Sequence, residues 1–191
     1  TESAKKVGST VPAAWADVGQ PVADVNTRLG LTGPNLERVS SQFLELGRIL
    51  GEEVDIQTTT GALSAFKIEG DDVAGGLDYL YQVAQATGIG FNDLAGRVAA
   101  AAPITQQLGF TFEETAAMIG VMDKAGLDSQ TMIGAMQRGL VNLTQPGESA
   151  EDAFRRVTGE IQTFMANGDQ AAAMDLAGQV FGTRGAAQFI G

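Results

Sequence analysis

The sequence predicts an all-α protein of eight to ten short helices, set in helical hairpins within a compact or solenoid-like body. Three observations predict it. Apolar residues recur three and four positions apart in stripe after stripe, the spacing that lines side chains along one helix face. Glycine, Pro-Gly or Asn-Gly punctuation follows nearly every stripe, at Gly51, Gly70, Gly88, Gly109, Gly126, Pro146-Gly147 and Asn167-Gly168. No stretch carries a strand signal.

Residues 1–10 are polar, include Lys5 and Lys6, and read as a frayed or linking segment. Pro12 after Thr10 suits a first helical turn. Trp15 and Val18 share a face, and Gly19-Gln20-Pro21 breaks that short helix. A second begins at Pro21 with Val22, Val25 and Leu29. Gly30 to Pro34 is a turn, with Pro34 again at a helix start. Leu36, Val39, Phe43, Leu46 and Leu50 form a clean stripe closed by Gly51. Ile56 to Ile68 reads as a helix, although the β-branched run Thr58-Thr59-Thr60 lowers its propensity. Asp71 or Asp72 caps the next helix, whose Val73, Leu77, Leu80 and Ala84 turn inward. Its Gly75-Gly76 pair costs about 1 kcal/mol per residue against Ala and signals a close helix crossing or a bend.

The stretch from Ala86 to Asp128 writes two amphipathic helices. Asn92 or Gly90 opens the first; Phe91, Leu94, Val98 and Ala101 form its face, and Gly109 closes it. Pro103 lies inside this run, where its missing N–H and its ring against the carbonyl of Ala99 predict a kink or break. The second opens at Thr111, which with Glu114 has capping-box spacing. Phe112, Ala116, Ile119 and Met122 form its stripe, and Gly126 follows Lys124 as a C-cap glycine. Beyond, Asp128 or Ser129 caps a helix carrying Ile133, Met136, Leu140 and Leu143, ended by Gln145-Pro146-Gly147. Ser149 with Asp152 starts another, with Phe154, Val157, Ile161 and Phe164 inward. After the Asn167-Gly168 turn, Gln170 to Phe181 is a short Ala-rich helix stopped at Gly182. Gly51, Gly88 and Gly126 recur at intervals of 37 and 38 residues, a period that fits one helical hairpin per repeat. The organisation reads as a polar N-terminal segment with short helices over 1–31, a helical-hairpin core over 32–145 and C-terminal helices over 146–191.

Composition limits the chemistry. The 191 residues contain neither cysteine nor histidine. That removes disulfides, thiolate sites, Ser-His-Asp and Cys-His catalysis, the common zinc sites and an imidazole switch. Hydrophobic residues make up 44%, enough for a packed core. Net charge is −11, and between Glu45 and Asp123 the only cations are Arg48, Lys67 and Arg97. Such a surface repels phosphate backbones and argues against direct nucleic-acid binding. The longest uncharged run, Val98 to Phe112, is 15 residues with Pro and Gln inside it. A membrane span needs ~20 apolar residues. The first residue is Thr1, which reads as an excerpt of a longer protein.

Carboxylates pair at Glu52/Glu53, Asp71/Asp72, Glu113/Glu114 and Glu151/Asp152. A glycosidase needs two carboxylates facing across a bond, but these pairs fall at or near helix starts, where acids satisfy orphan amides and the macrodipole. Capping is the favoured reading, so no catalytic residue is assigned. Asp71, Asp72, Asp78 and Glu69 lack the ligand spacing of a calcium loop and read as a solvated acidic turn. No glycine cluster has phosphate-loop form; the Gly-Ile-Gly before Phe91 follows a helix. No metal or cofactor is expected. Met118, Met122, Met132, Met136, Met165 and Met174 read as core filler, with an adaptable partner surface as the minority reading.

The stretch ATGIGFNDLAGRVAAAAPITQQLGFTFEETAAMIGVMDKAGLD, from Ala86, resembles the helical region of tail tape measure proteins of long-tailed bacteriophages. So do NTRLGLTGPNLERVSSQFLELGRILGE, from Asn26, and AMDLAGQVFGTRGAAQFI near the end. The resemblance runs from about Pro21 to Ile190. The motif positions it marks are Gly51, Gly88, Asp93, Leu94, Pro103, Gly109, Glu114, Gly126 and the Phe181-Gly182-Thr183-Arg184-Gly185 turn. For Arg184 the residue-level reading is a cap on a helix C-terminus. The resemblance implies a structural tail component that sets tail length during assembly and leaves ahead of the genome. It further implies tail tube and tail-tip proteins and tail assembly chaperones as partners, homo-oligomerisation, a place in the virion tail, and residence in the host cytoplasm during assembly. Rival readings are a peptidoglycan-degrading domain, which some tape measures carry, and a helical adaptor. The short punctuated stripes describe a folded terminus or docking module, not the extended ruler.

Overall fold

A computed structural model describes residues 2–10 and 15–190, and within them all side chains except those of 8–10, 15–18, 20, 184 and 188–190. The described residues form helices and turns without a strand. The helices are α1 (Glu2–Thr10), α2 (Trp15–Leu29), α3 (Gly33–Leu50), α4 (Ile56–Ala65), α5 (Asp72–Thr87), α6 (Phe91–Gln107), α7 (Phe112–Lys124), α8 (Ser129–Leu143), α9 (Ala150–Ala166) and α10 (Gln170–Ile190). The protein is all-α, as the stripes predict.

The molecule divides into two units: residues 1–102 with 112–120, and residues 103–111 with 121–191. In the first, α1, α2 and α3 pack on one another, α4 lies against α2, and α5 packs on α3 and α4. Its core is the predicted stripes: Val25, Val39, Leu77, Leu80 and Leu94 are fully buried, with Phe91 and Phe112 nearly so. Each such burial contributes about 1.5–3 kcal/mol. In the second unit α8, α9 and α10 pack on one another around Met136, Leu140, Val157, Ile161, Ala177 and Val180.

Helix ends follow the glycine punctuation by two hydrogen-bond patterns. At Gly30, Gly51 and Gly88 the glycine N–H donates to the carbonyl four residues back, the simple left-handed stop. At Gly109, Gly126 and Gly168 the bonds run three residues back from the glycine and five back from its successor, the Schellman form. A fourth Schellman stop, after α4, is built on Lys67, whose φ is 59°. Lys67 alone among the described non-glycine residues adopts positive φ, a conformation costing roughly 1–2 kcal/mol in a residue with a Cβ. The N-caps divide likewise. Asp55, Asp128 and Ser149 accept the N–H of Thr58, Thr131 and Asp152 at 2.9, 2.6 and 3.1 Å. Gly90 is the residue before α6, and its carbonyl accepts the Leu94 N–H at 2.9 Å.

Several local expectations are corrected. Residues 2–10 are helix α1, not a linker: Val7 is 1% exposed, and Lys6 Nζ lies 2.7 Å from a Glu37 carboxylate oxygen. Pro12 lies outside the described residues, as do the side chains of Trp15 and Val18. Pro21 does not start a helix but sits inside α2. Its ring removes one backbone bond, a cost of about 3 kcal/mol. Val22 and Val25, both buried, offset this only if the helix continues across it. Of the kink or break expected at Pro103, the break does not occur: α6 continues through it, with Ala101, Ala102 and Thr105 buried on either side. Asp71 precedes α5 but makes no cap bond; its carboxylate takes Arg38 Nη2 at 3.2 Å instead. Gly182 stops the first half of α10, with φ 72° and ψ 168°, but a further helical stretch follows it.

Candidate functional site

The motif residues of the resemblance do not gather in one pocket. They are helix stops, packing positions and first-turn acids. Gly51, Gly88, Gly109 and Gly126 hold φ of 71°, 85°, 79° and 71° at the ends of four different helices. Leu94 is fully buried, Asp93 is exposed in the first turn of α6, and Glu114 stands in the first turn of α7, which Thr111 precedes. Pro103 is exposed inside α6. The C-terminal turn is the one motif brought together. Phe181 is 6% exposed, Gly182 makes the break, and a Cβ on Gly185 would strike the end of Met132 and come 2.8 Å from Phe181 Cβ. The Arg184 side chain lies outside the described residues.

Packing between helices uses other glycines. In the first unit a Cβ on Gly76 would stand 2.5 Å from Leu63 Cδ2, and one on Gly120 would stand 2.7 Å from Val83 Cγ1. Of the Gly75-Gly76 pair, only Gly76 marks a close crossing; Gly75 faces open space. Phe66 and Phe112 meet edge to face beside Gly76, with ring centroids 5.7 Å apart. In the second unit a Cβ on Gly139 would collide with the backbone of Gln179 and Val180, so α8 and α10 touch backbone to backbone.

Two polar constellations sequence reasoning missed hold the turns. The Asn92 amide accepts the Asp55 N–H and donates to the Glu53 carbonyl, both at 2.9 Å, tying α6 to the α3–α4 loop. Asp55 is also the α4 cap, and its bonds to the Thr58 hydroxyl and N–H hold its carboxyl below the ordinary range. In the second unit Arg156 grips Glu148 through Nε and Nη2 at 2.8 and 3.0 Å, donates to the Leu143 carbonyl at 2.7 Å, and reaches Glu160 at 3.2 Å. The Gln145 N–H adds a bond to Glu148. The Arg156 fork, and next the Gln145 N–H, hold the Glu148 carboxyl down to about 2. The signal available was the i, i+4 spacing of Arg156 and Glu160 on α9; Glu148 lies before that helix and gave none.

The shifted carboxyls therefore move toward the ionised form, the direction of caps and ion pairs. A general acid needs the opposite shift. A polar surface concavity of about 480 Å³ is lined by Asp24, Arg28 and residues 53–57. Among the described residues no group of three His, Cys, Asp or Glu could hold a metal ion, and no helix is long and apolar enough to cross a membrane.

The fold defines an all-α protein of short helices, many of whose ends are held by polar side chains. It belongs to the phage-related minor tail protein family, whose pattern matches residues 1–188. It is also similar to a probable tape measure protein of Escherichia phage P2, 32% identical over 98 residues. That alignment takes in 51% of this sequence and 12% of the relative. No solved structure matches it significantly.

Proposed function

We propose that this protein is a folded helical module of a tape-measure-type tail protein, acting by packing and docking rather than by catalysis. One observation carries the reading. Every described helix is closed within 21 residues, and the longest, α10, is itself interrupted at Gly182. A ruler that sets length must run extended along the tail tube, whereas these helices each bury one face against a neighbour. Membership of the tail family and the likeness to the phage P2 protein support a place in the virion tail. On this reading the protein meets tail tube and tail-tip proteins in the tail, engages assembly chaperones in the host cytoplasm, self-associates, and leaves ahead of the genome. The place of Glu113 and Glu114 in the first turn of α7, where acids suit the helix dipole, favours it over a muralytic domain.

Mass spectrometry of purified tails before and after triggered genome release tests this. Peptides of this segment are expected in the tails before release and lost after it. In parallel, the segment is expected to leave cell-wall suspensions turbid. Clearing of the suspension, abolished by Glu113→Gln or Glu114→Gln, would overturn the non-catalytic reading.

A further inference from the structure

We infer that Asn167 is a site of spontaneous deamidation, restrained by the turn that closes α9. The sequence has five asparagines, and Asn167 alone precedes glycine. Asn26, Asn35, Asn92 and Asn142 lie within helices and are followed by Thr, Leu, Asp and Leu. The amides of Asn26 and Asn92 are further engaged with the carbonyls of Leu31 and Glu53. Asn167 is exposed and lies just past the last residue of α9.

The chemistry is intramolecular. The Gly168 amide nitrogen, after losing its proton to hydroxide, attacks the carboxamide carbon (Cγ) of Asn167. A new bond forms between that nitrogen and Cγ, the Cγ–Nδ2 bond breaks as Nδ2 takes a proton from water, and ammonia leaves, giving a five-membered succinimide and regenerating hydroxide. Water then opens the ring at either carbonyl, leaving aspartate or isoaspartate. No oxidant or reductant is involved. Glycine favours the step because it has no side chain to crowd the attacking nitrogen.

The fold opposes this step twice. The Gly168 N–H donates to the Met165 carbonyl at 3.1 Å, which disfavours loss of its proton. Asn167 is held at φ −85° and ψ 0°, its own N–H bonded to Thr163, and the Asp169 N–H reaches back to Phe164 at 2.9 Å. This conformation keeps the carboxamide from lining up behind the Gly168 nitrogen, so reaction waits for the last turn of α9 to open. The product then disfavours reclosure. It places a carboxylate at a helix C-terminus, where the dipole opposes negative charge, two residues from Asp169, whose carboxylate accepts the Ala172 N–H at 3.0 Å.

The test is peptide mass spectrometry of the intact protein held at mildly alkaline pH, with and without urea, alongside Asn167→Gln and Asn167→Asp. Amide-to-acid conversion is expected at Asn167 first, about tenfold or more faster in urea, as for a group protected by local structure. Asn167→Gln is expected to remove it, and Asn167→Asp to melt at a lower temperature than the parent. Conversion at another asparagine first, equal rates in the folded and unfolded protein, or no conversion in urea would overturn the assignment.

Discussion

The side chain of Asn92 accepts the backbone N–H of Asp55 at 2.9 Å across a separation of 37 residues. Each residue stands four positions after a left-handed helix-stop glycine, Asp55 after Gly51 and Asn92 after Gly88. The bond therefore joins equivalent positions after two helix stops of the same kind. Asn92→Ala should destabilise the first unit by about 1–3 kcal/mol, the usual worth of the two hydrogen bonds it loses. Amide exchange should accelerate first at residues 52–55. Unchanged exchange there would show that the Asn92 bonds do not hold the loop.

Lys67 occupies a helix stop that Gly109, Gly126 and Gly168 fill elsewhere with the same bonds. Lys67→Gly should relieve the positive-φ strain, offset in part by the greater freedom of the unfolded state, for a net gain of roughly 0.5–1 kcal/mol. Urea unfolding measures it, and a loss of stability would contradict the strain.

Gly139 and Gly159 are both helical, but only Gly139 faces backbone. Gly139→Ala should cost roughly 1–3 kcal/mol, because the backbone of Gln179 and Val180 cannot step aside. Gly159 has open space around its Cβ position. Gly159→Ala should instead stabilise by about 0.5–1 kcal/mol through helix propensity. Thermal melts of the two variants should shift in opposite directions.

Glu148 brings a pH dependence. Its carboxyl is held down to about 2 in the folded state, against an ordinary value of 4.5. As pH falls, the unfolded state takes up this proton first, so the stabilisation is complete above the ordinary value and is lost between 4.5 and about 2. Glu148→Gln should flatten the fall in melting temperature across that window and lower it at neutral pH. Parallel profiles for variant and parent would show that the Arg156 grip adds nothing to stability.

Most helix boundaries were legible because they depend on local chemistry. A glycine at positive φ, or a Ser or Asp followed by free N–H groups, announces a stop or a start whatever follows. Leu36, Val39 and Phe43, or Leu77 and Leu80, were legible as core for the same reason: one helix face is defined by its own spacing. The helix start read at Pro21 and the break read at Pro103 misled because their local penalty competes with the burial of flanking residues. Asp71 misled because its carboxylate found Arg38, 33 residues earlier, rather than its own helix. Asn92 and the glycines at 120 and 139 act only on partners distant in sequence, so nothing in their immediate neighbours distinguishes them, whereas Gly76 was marked by its pairing with Gly75.

Tail length tests the central assignment most directly. An in-frame duplication of residues 32–145 in the parent phage adds 114 residues, which as an extended helix would span ~170 Å. A folded docking module predicts intact tails of unchanged length in electron micrographs, or tails that fail to assemble because docking is disturbed. Intact tails longer by about that amount would contradict it and show this segment to be part of the ruler.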